Sequence, residues 1–87
     1  MMIPELKLGD LVEVVLDDLT TEEDEWISLE KASVREPVVV HAVGYYLNHD
    51  ERAFRLTPLM IRDGSWVGST IVFPTGAVRE INVRSNS

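Results

Sequence analysis

Apolar and polar residues alternate over residues 10–17, with Val12, Val14 and Leu16 on one side and Glu13 and Asp17 on the other. A period of two marks a half-buried β-strand. Val15 interrupts the alternation, so the outer face of this strand is expected to be partly covered or to form an interface. Gly9-Asp10 reads as a turn into the strand, and residues 1–8 form a lead-in.

The next strand signal is stronger. Residues 38–47 are continuous and rich in β-branched and aromatic types. Pro37 stands at the entrance, where a missing N–H does least harm. This strand is apolar on both faces: Val39, Val43 and Leu47 lie on one, and Val38, Val40, Ala42 and Tyr46 on the other. A small barrel has one interior, so the second face is expected to be covered by the segment around Trp26 or by another subunit.

The rest of the chain continues in short strands. Asn48-His49-Asp50-Glu51 reads as a turn, residues 52–61 as a third strand returning in a hairpin, and Asp63-Gly64 as a tight turn. A fourth strand is predicted over 66–73 and a fifth over 78–83, joined by the tight connection Pro74-Thr75-Gly76-Ala77. Residues 85–87 are expected to be a disordered tail.

Residues 18–26, DLTTEEDEW, break the β pattern. Thr20 followed three residues later by Glu23 is the spacing of a capping box. It predicts a short helix over about 22–32, with Trp26 and Leu29 on one apolar side. An irregular loop anchored by Trp26 is the alternative.

The whole reads as one mainly β domain over residues 1–87. The fold class expected is a small five-stranded SH3-like or Sm-like barrel, with one short helix or loop insertion after the first strand. An OB-fold is the competitor. It needs a larger helix between its third and fourth strands, and Asp63-Gly64-Ser65 leaves no room for one.

Trp26, Pro37, Val43-Gly44-Tyr45, Thr57-Pro58 and the run Phe73-Pro74-Thr75-Gly76-Ala77-Val78 together resemble a group of small phage and prophage proteins without assigned function. In that group a loop tryptophan precedes a Val-Gly-aromatic strand, and a Pro-x-Gly-x-Val turn precedes the last strand. The resemblance covers roughly residues 10–84. The group places an aromatic near the end of the first strand, where this chain has Leu16. The resemblance implies a small barrel of phage type and carries no catalytic residue.

Composition narrows the function classes. The chain has 87 residues, 45% of them hydrophobic, and no cysteine. A domain this short is marginal alone. With neither disulfide nor thiolate metal site available, dense β packing and self-association are the supports left. No stretch is long and apolar enough to span a membrane, and no signal-peptide pattern opens the chain, so a cytoplasmic location is expected, that of the host cell if the protein is viral.

Net charge is −7 and unevenly spread. Residues 1–36 carry eleven acids against three bases, whereas 37–87 carry four acids against five arginines. Attraction to duplex nucleic acid or an anionic membrane is not expected, since that draws on clustered Lys and Arg. A small anion held by a few arginines is compatible with the charge.

Catalytic patterns are not found. His41 and His49 are the only histidines, and their spacing matches no metal site, so no metal and no cofactor are expected. The acidic run lacks the central glycine and alternating ligands of a calcium loop. Ser65 and Ser69 stand near turns without a nucleophile elbow, and there is no glycine-rich phosphate cradle. The chain is expected not to be an enzyme.

Two binding sets remain. Tyr45, Tyr46, Arg52, Arg55, Arg62 and Trp66 combine aromatic faces for stacking with guanidinium groups for phosphate. Core aromatics with surface arginines would leave the same trace. Asp17, Asp18, Glu22, Glu23, Asp24 and Glu25 form an acidic segment able to dock a basic host or virion protein. The expectation is a non-enzymatic, homo-oligomeric, phage-type binding protein that sequesters a small nucleotide immune signal, an anti-defence sponge. The alternative is a protein-interaction module using the acidic 17–25 segment.

Overall fold

A computed structural model describes residues 3–18 and 26–85. The architecture is mainly β. The first strand, β1 (Leu11–Asp18), is followed by the helix α1 (Leu29–Ser33) and the long strand β2 (Val38–His49). Then come β3 (Ala53–Thr57), β4 (Leu59–Met60), β5 (Val67–Gly68) and β6 (Ile71–Pro74). A single 3₁₀ turn over Thr75–Ala77 leads into β7 (Val78–Ser85). Five strands form one antiparallel sheet in the order β6-β3-β2-β1-β7, and β4 and β5 pair separately.

The alternation in β1 is realised as read. Val12, Val14 and Leu16 face the core with Tyr46, Phe54, Leu56, Phe73 and Val78, and Val40, Ala42, Ile71 and Ile81 pack around them. The lead-in is part of this core. Ile3 and Leu6 pack on it, the Gly9 N–H donates to the Tyr46 carbonyl at 2.8 Å, and the Tyr46 N–H donates to the Asp10 carbonyl at 2.7 Å. The core is aromatic at Phe54, which stacks on Phe73 with centroids 5.4 Å apart, and the exposed His49 ring also stacks on Phe54 at 5.5 Å.

Among the described residues seven strand segments replace the five expected, because two of the predicted strands are each broken. Pro58 separates β3 from β4, and Ser69, at φ 59, separates β5 from β6. The two halves nevertheless share one register. Leu56 pairs with Ile71, and three residues further along Leu59 pairs with Gly68. Residues 53–74 are therefore one long hairpin kinked at its middle. The kink is held by Thr57, which is fully buried. Its hydroxyl lies 2.7 Å from the Gly68 carbonyl and 2.9 Å from that of Leu59, and accepts from the Leu59 N–H. At the tip the Gly64 N–H donates to the Ile61 carbonyl at 2.7 Å, with Gly64 at φ 77, as the Asp-Gly signal requires.

Other boundaries also shift. The expected turn at 48–51 starts later: β2 runs to His49, and Asp50 closes the turn by accepting from the Arg52 and Ala53 N–H groups, both at 2.8 Å. Ser85, expected in the tail, ends β7. The helix starts at Leu29 rather than near residue 22. Ser28 is its cap, with its hydroxyl accepting from the Lys31 N–H. Thr20 and Glu23, the expected capping box, lie outside the described residues. Trp26 precedes the helix and is 91% exposed, and no α1 residue is buried. Neither therefore covers the second face of β2, one of the two coverings expected. No helix among the described residues is long and apolar enough to cross a membrane.

Candidate functional site

The kinked hairpin throws its tip away from the core and leaves its side chains exposed. Past Pro58, Leu59, Ile61 and Val67 are exposed and Trp66 is 71% exposed. A hollow of about 330 Å³ is walled by Leu59, Met60, Ile61, Trp66, Val67 and Gly68. A second, of about 260 Å³, is walled by Gly9, Tyr45, Met60, Ile61 and Arg62. Met60 and Ile61 are common to both, so Trp66 and the Tyr45–Arg62 pair stand on either side of one apolar ridge.

The six residues expected to bind together therefore divide into three groups. Arg62 and Trp66 belong to the hairpin tip, and Tyr45, on β2, shares the second hollow with Arg62 but not with Trp66. Arg52 and Arg55 do not join them. Arg55 pairs in register with Asn48, not with the tyrosines, and its guanidinium donates to the Asn48 side-chain oxygen at 2.8 Å and lies 3.4 Å from the Asp50 carboxylate. The tyrosines pair with Thr57 and Leu56, and the one-residue irregularity between Tyr46 and Asn48 sets Arg55 opposite Asn48 rather than Leu47. Arg52 sits in the adjoining turn. Tyr46 is a core residue, 7% exposed. Burial pushes its phenol pKa up, and the hydroxyl lies 2.7 Å from His49 Nδ1. It offers no stacking face, which corrects its place in the binding set. The two-residue alternation of β2 separates the tyrosines, turning Tyr45 outward and Tyr46 inward.

Of the acidic set, Asp17 and Asp18 end β1, and Asp17 meets Arg79 at 3.6 Å. Glu22, Glu23, Asp24 and Glu25 lie outside the described residues. Among the described residues no group of three His, Asp or Glu side chains is placed to hold a metal ion.

Two features were not anticipated by sequence. Thr57, read only as part of a Thr-Pro pair, governs the kink that presents the tip. On the outer face of β1, Glu13 accepts from Arg84 at 2.8 Å and from Asn82 at 3.1 Å, and its other oxygen is 3.5 Å from His41 Nδ1. These donors, with Arg84 the largest, hold the Glu13 carboxyl below its ordinary pKa. The pairing of β1 with both β2 and β7 brings the three together, and no local spacing could have announced it.

Comparison of the chain with protein-family models, curated proteins and solved structures gives no match.

Proposed function

We propose that this protein is a non-enzymatic binding module that acts as a homo-oligomer and captures a small planar anion, a nucleotide, at the hairpin tip. The observation that carries the reading is the meeting of Tyr45 and Arg62 in one hollow with Trp66 across a shared apolar ridge. An exposed indole offers a stacking face worth about 1–3 kcal/mol per base. Arg62 has no ion-pair partner among the described residues, so its guanidinium is available to a phosphate.

The architecture in this reading is an SH3-like barrel. Supporting it are the strand order β6-β3-β2-β1-β7 and the one-turn 3₁₀ element immediately before the last strand. In a phage setting, such capture would withdraw an immune nucleotide signal from the host.

Calorimetry with cyclic and linear nucleotides tests the proposal. At least one should bind in the micromolar range or tighter, and Arg62→Ala and Trp66→Ala should each weaken it about tenfold or more, as the loss of one stacked or bidentate contact does. No binding tighter than high micromolar across the panel defeats the sponge. Docking through the acidic 17–25 segment is the alternative function. There, neutralising Asp17, Asp18 and residues 22–25 abolishes partner capture in a pull-down and leaves nucleotide binding intact.

A further inference from the structure

The two hollows at the hairpin tip share a wall. Trp66 lines the first, of about 330 Å³, and Tyr45 and Arg62 line the second, of about 260 Å³. Met60 and Ile61 stand in both walls and form the ridge between them. Each hollow by itself lies near or below the lower end of the range for ligand sites, about 300–1,000 Å³, and the two joined fall inside it. Trp66 and Tyr45 are both exposed, so each offers ring surface to a ligand. The two rings line different hollows, so one base cannot stack on both.

We infer that the ligand of this site is a dinucleotide: two bases joined by a single phosphodiester, with one base on Trp66, the other on Tyr45 and the phosphate at Arg62. The inference rests on the nucleotide reading above and names the class of nucleotide. The ridge of Met60 and Ile61 stands between the two bases. Apolar side chains of this kind, Ile and Met among them, are the wedges that proteins set between neighbouring bases. Bases splayed apart in this way are what aromatic platforms for single strands take up.

Charge limits the number of phosphates. Among the described residues walling the two hollows, Arg62 alone is charged. Asp63, next in the chain, is engaged elsewhere: its carboxylate accepts from the Ser65 N–H at 2.8 Å and from the Ser65 hydroxyl at 2.5 Å. One guanidinium forks onto one phosphate through two parallel N–H bonds. A phosphodiester, with its single negative charge, is matched by it. A nucleoside triphosphate brings several charges to a chain whose own net charge is −7, and the surplus meets no second cation in either wall.

The second base supplies the discrimination. A mononucleotide reaches Arg62 with its phosphate and one aromatic wall with its base, and leaves the other wall empty. A dinucleotide fills both. One more stacked base changes affinity by about tenfold or more. The single phosphate contact also sets the salt response. Log K should fall against log salt with a slope of about −0.7, the value for one phosphate of a single strand.

Calorimetry on the full-length protein tests this with AMP, ATP and the dinucleoside monophosphate ApA. The expected result is that ApA binds about tenfold or more tighter than AMP, and that ATP binds no tighter than AMP. Trp66→Ala and Tyr45→Leu should each bring ApA to about the affinity of AMP, with circular dichroism checking that each variant is folded. The wild-type ranking of the three probes decides the question even where a variant does not fold. AMP, ATP or a cyclic nucleotide binding as tightly as ApA overturns the dinucleotide and leaves the nucleotide reading standing. So does a folded Tyr45→Leu protein that binds ApA as wild type does, or a salt slope much steeper than that of one phosphate. An adenine hexanucleotide binding more than tenfold tighter than ApA also overturns it, since that would mark a track for a longer strand. No binding by any nucleotide overturns both readings.

Discussion

Gly44→Ala is a small change with a large expected effect. Gly44 is buried at the point where β2 leaves β1 and turns over β3. A Cβ built there stands 2.9 Å from the Thr57 carbonyl oxygen and 3.3 Å from Leu56 Cβ. Its obstacle is backbone, so no side chain can swing aside. β3 is pinned from its far side, since Phe54, Leu56 and Thr57 are all fully buried and the Thr57 hydroxyl is tied to Gly68. Relief requires parting β2 from β3 at Tyr45↔Thr57 and Tyr46↔Leu56.

Overpacking of this kind costs about 1–3 kcal/mol. Reduced freedom of the unfolded chain returns about 0.4–1 kcal/mol. The net loss expected is therefore about 1–2 kcal/mol, or a fall in Tm of roughly 4–16 °C for a chain this short. Urea and thermal unfolding followed by circular dichroism measure it. Gly76→Ala is the control, because nothing lies within 4 Å of a Cβ there, and it should leave stability within about 0.5 kcal/mol. A Gly44→Ala protein as stable as wild type, or indistinguishable from the control, would refute the close approach of β2 and β3.

Thr57→Val keeps the shape and removes the hydroxyl that holds the kink. It should cost about 1–3 kcal/mol in urea unfolding, the penalty for stranding buried polar partners, and amide exchange over residues 59–68 should accelerate. A neutral outcome would mean that the kink is held elsewhere. The Asp50 carboxyl is held below its ordinary pKa, first by the Ala53 and Arg52 N–H groups, and that of Glu13 first by Arg84. Both groups stabilise the fold above the unfolded carboxylate pKa, and that contribution is lost as pH falls through the lower folded value. NMR titration should find both midpoints below the ordinary carboxylate range, and Arg84→Gln should raise that of Glu13 alone.

The fold was legible wherever a strand has one wet face. β1 declared itself because Val12, Val14 and Leu16 alternate with Glu13 and Asp17, and burial follows that alternation except at Val15, which is also buried. The turns at Asp50 and Asp63-Gly64 were legible from their side-chain chemistry, since each carboxylate accepts backbone N–H groups two or three residues on. Strand breaks were not. Pro58 and Ser69 stand opposite one another only once the hairpin register is set, and a single strand carries no sign of its partner. The helix α1 begins at Leu29 with Ser28 as its cap, and no acidic residue three positions on completes a box there, so its start carries little signal in sequence; the expected box at Thr20 and Glu23 lies outside the described residues.

The site was half legible for a related reason. Composition put aromatics and arginines in the same part of the chain, but only pairing decides which of them meet. The irregularity between Tyr46 and Asn48 sets Arg55 beside Asn48 and Asp50, and beyond Pro58 Arg62 shares a hollow with Tyr45 while Trp66 lines the other. The two-sided apolar strand is different, because its message needs no partner to be read. A strand with valines on both faces and no guarding charge has to be covered from somewhere. α1 and Trp26 face solvent, and β3 reaches β2 only from Tyr45.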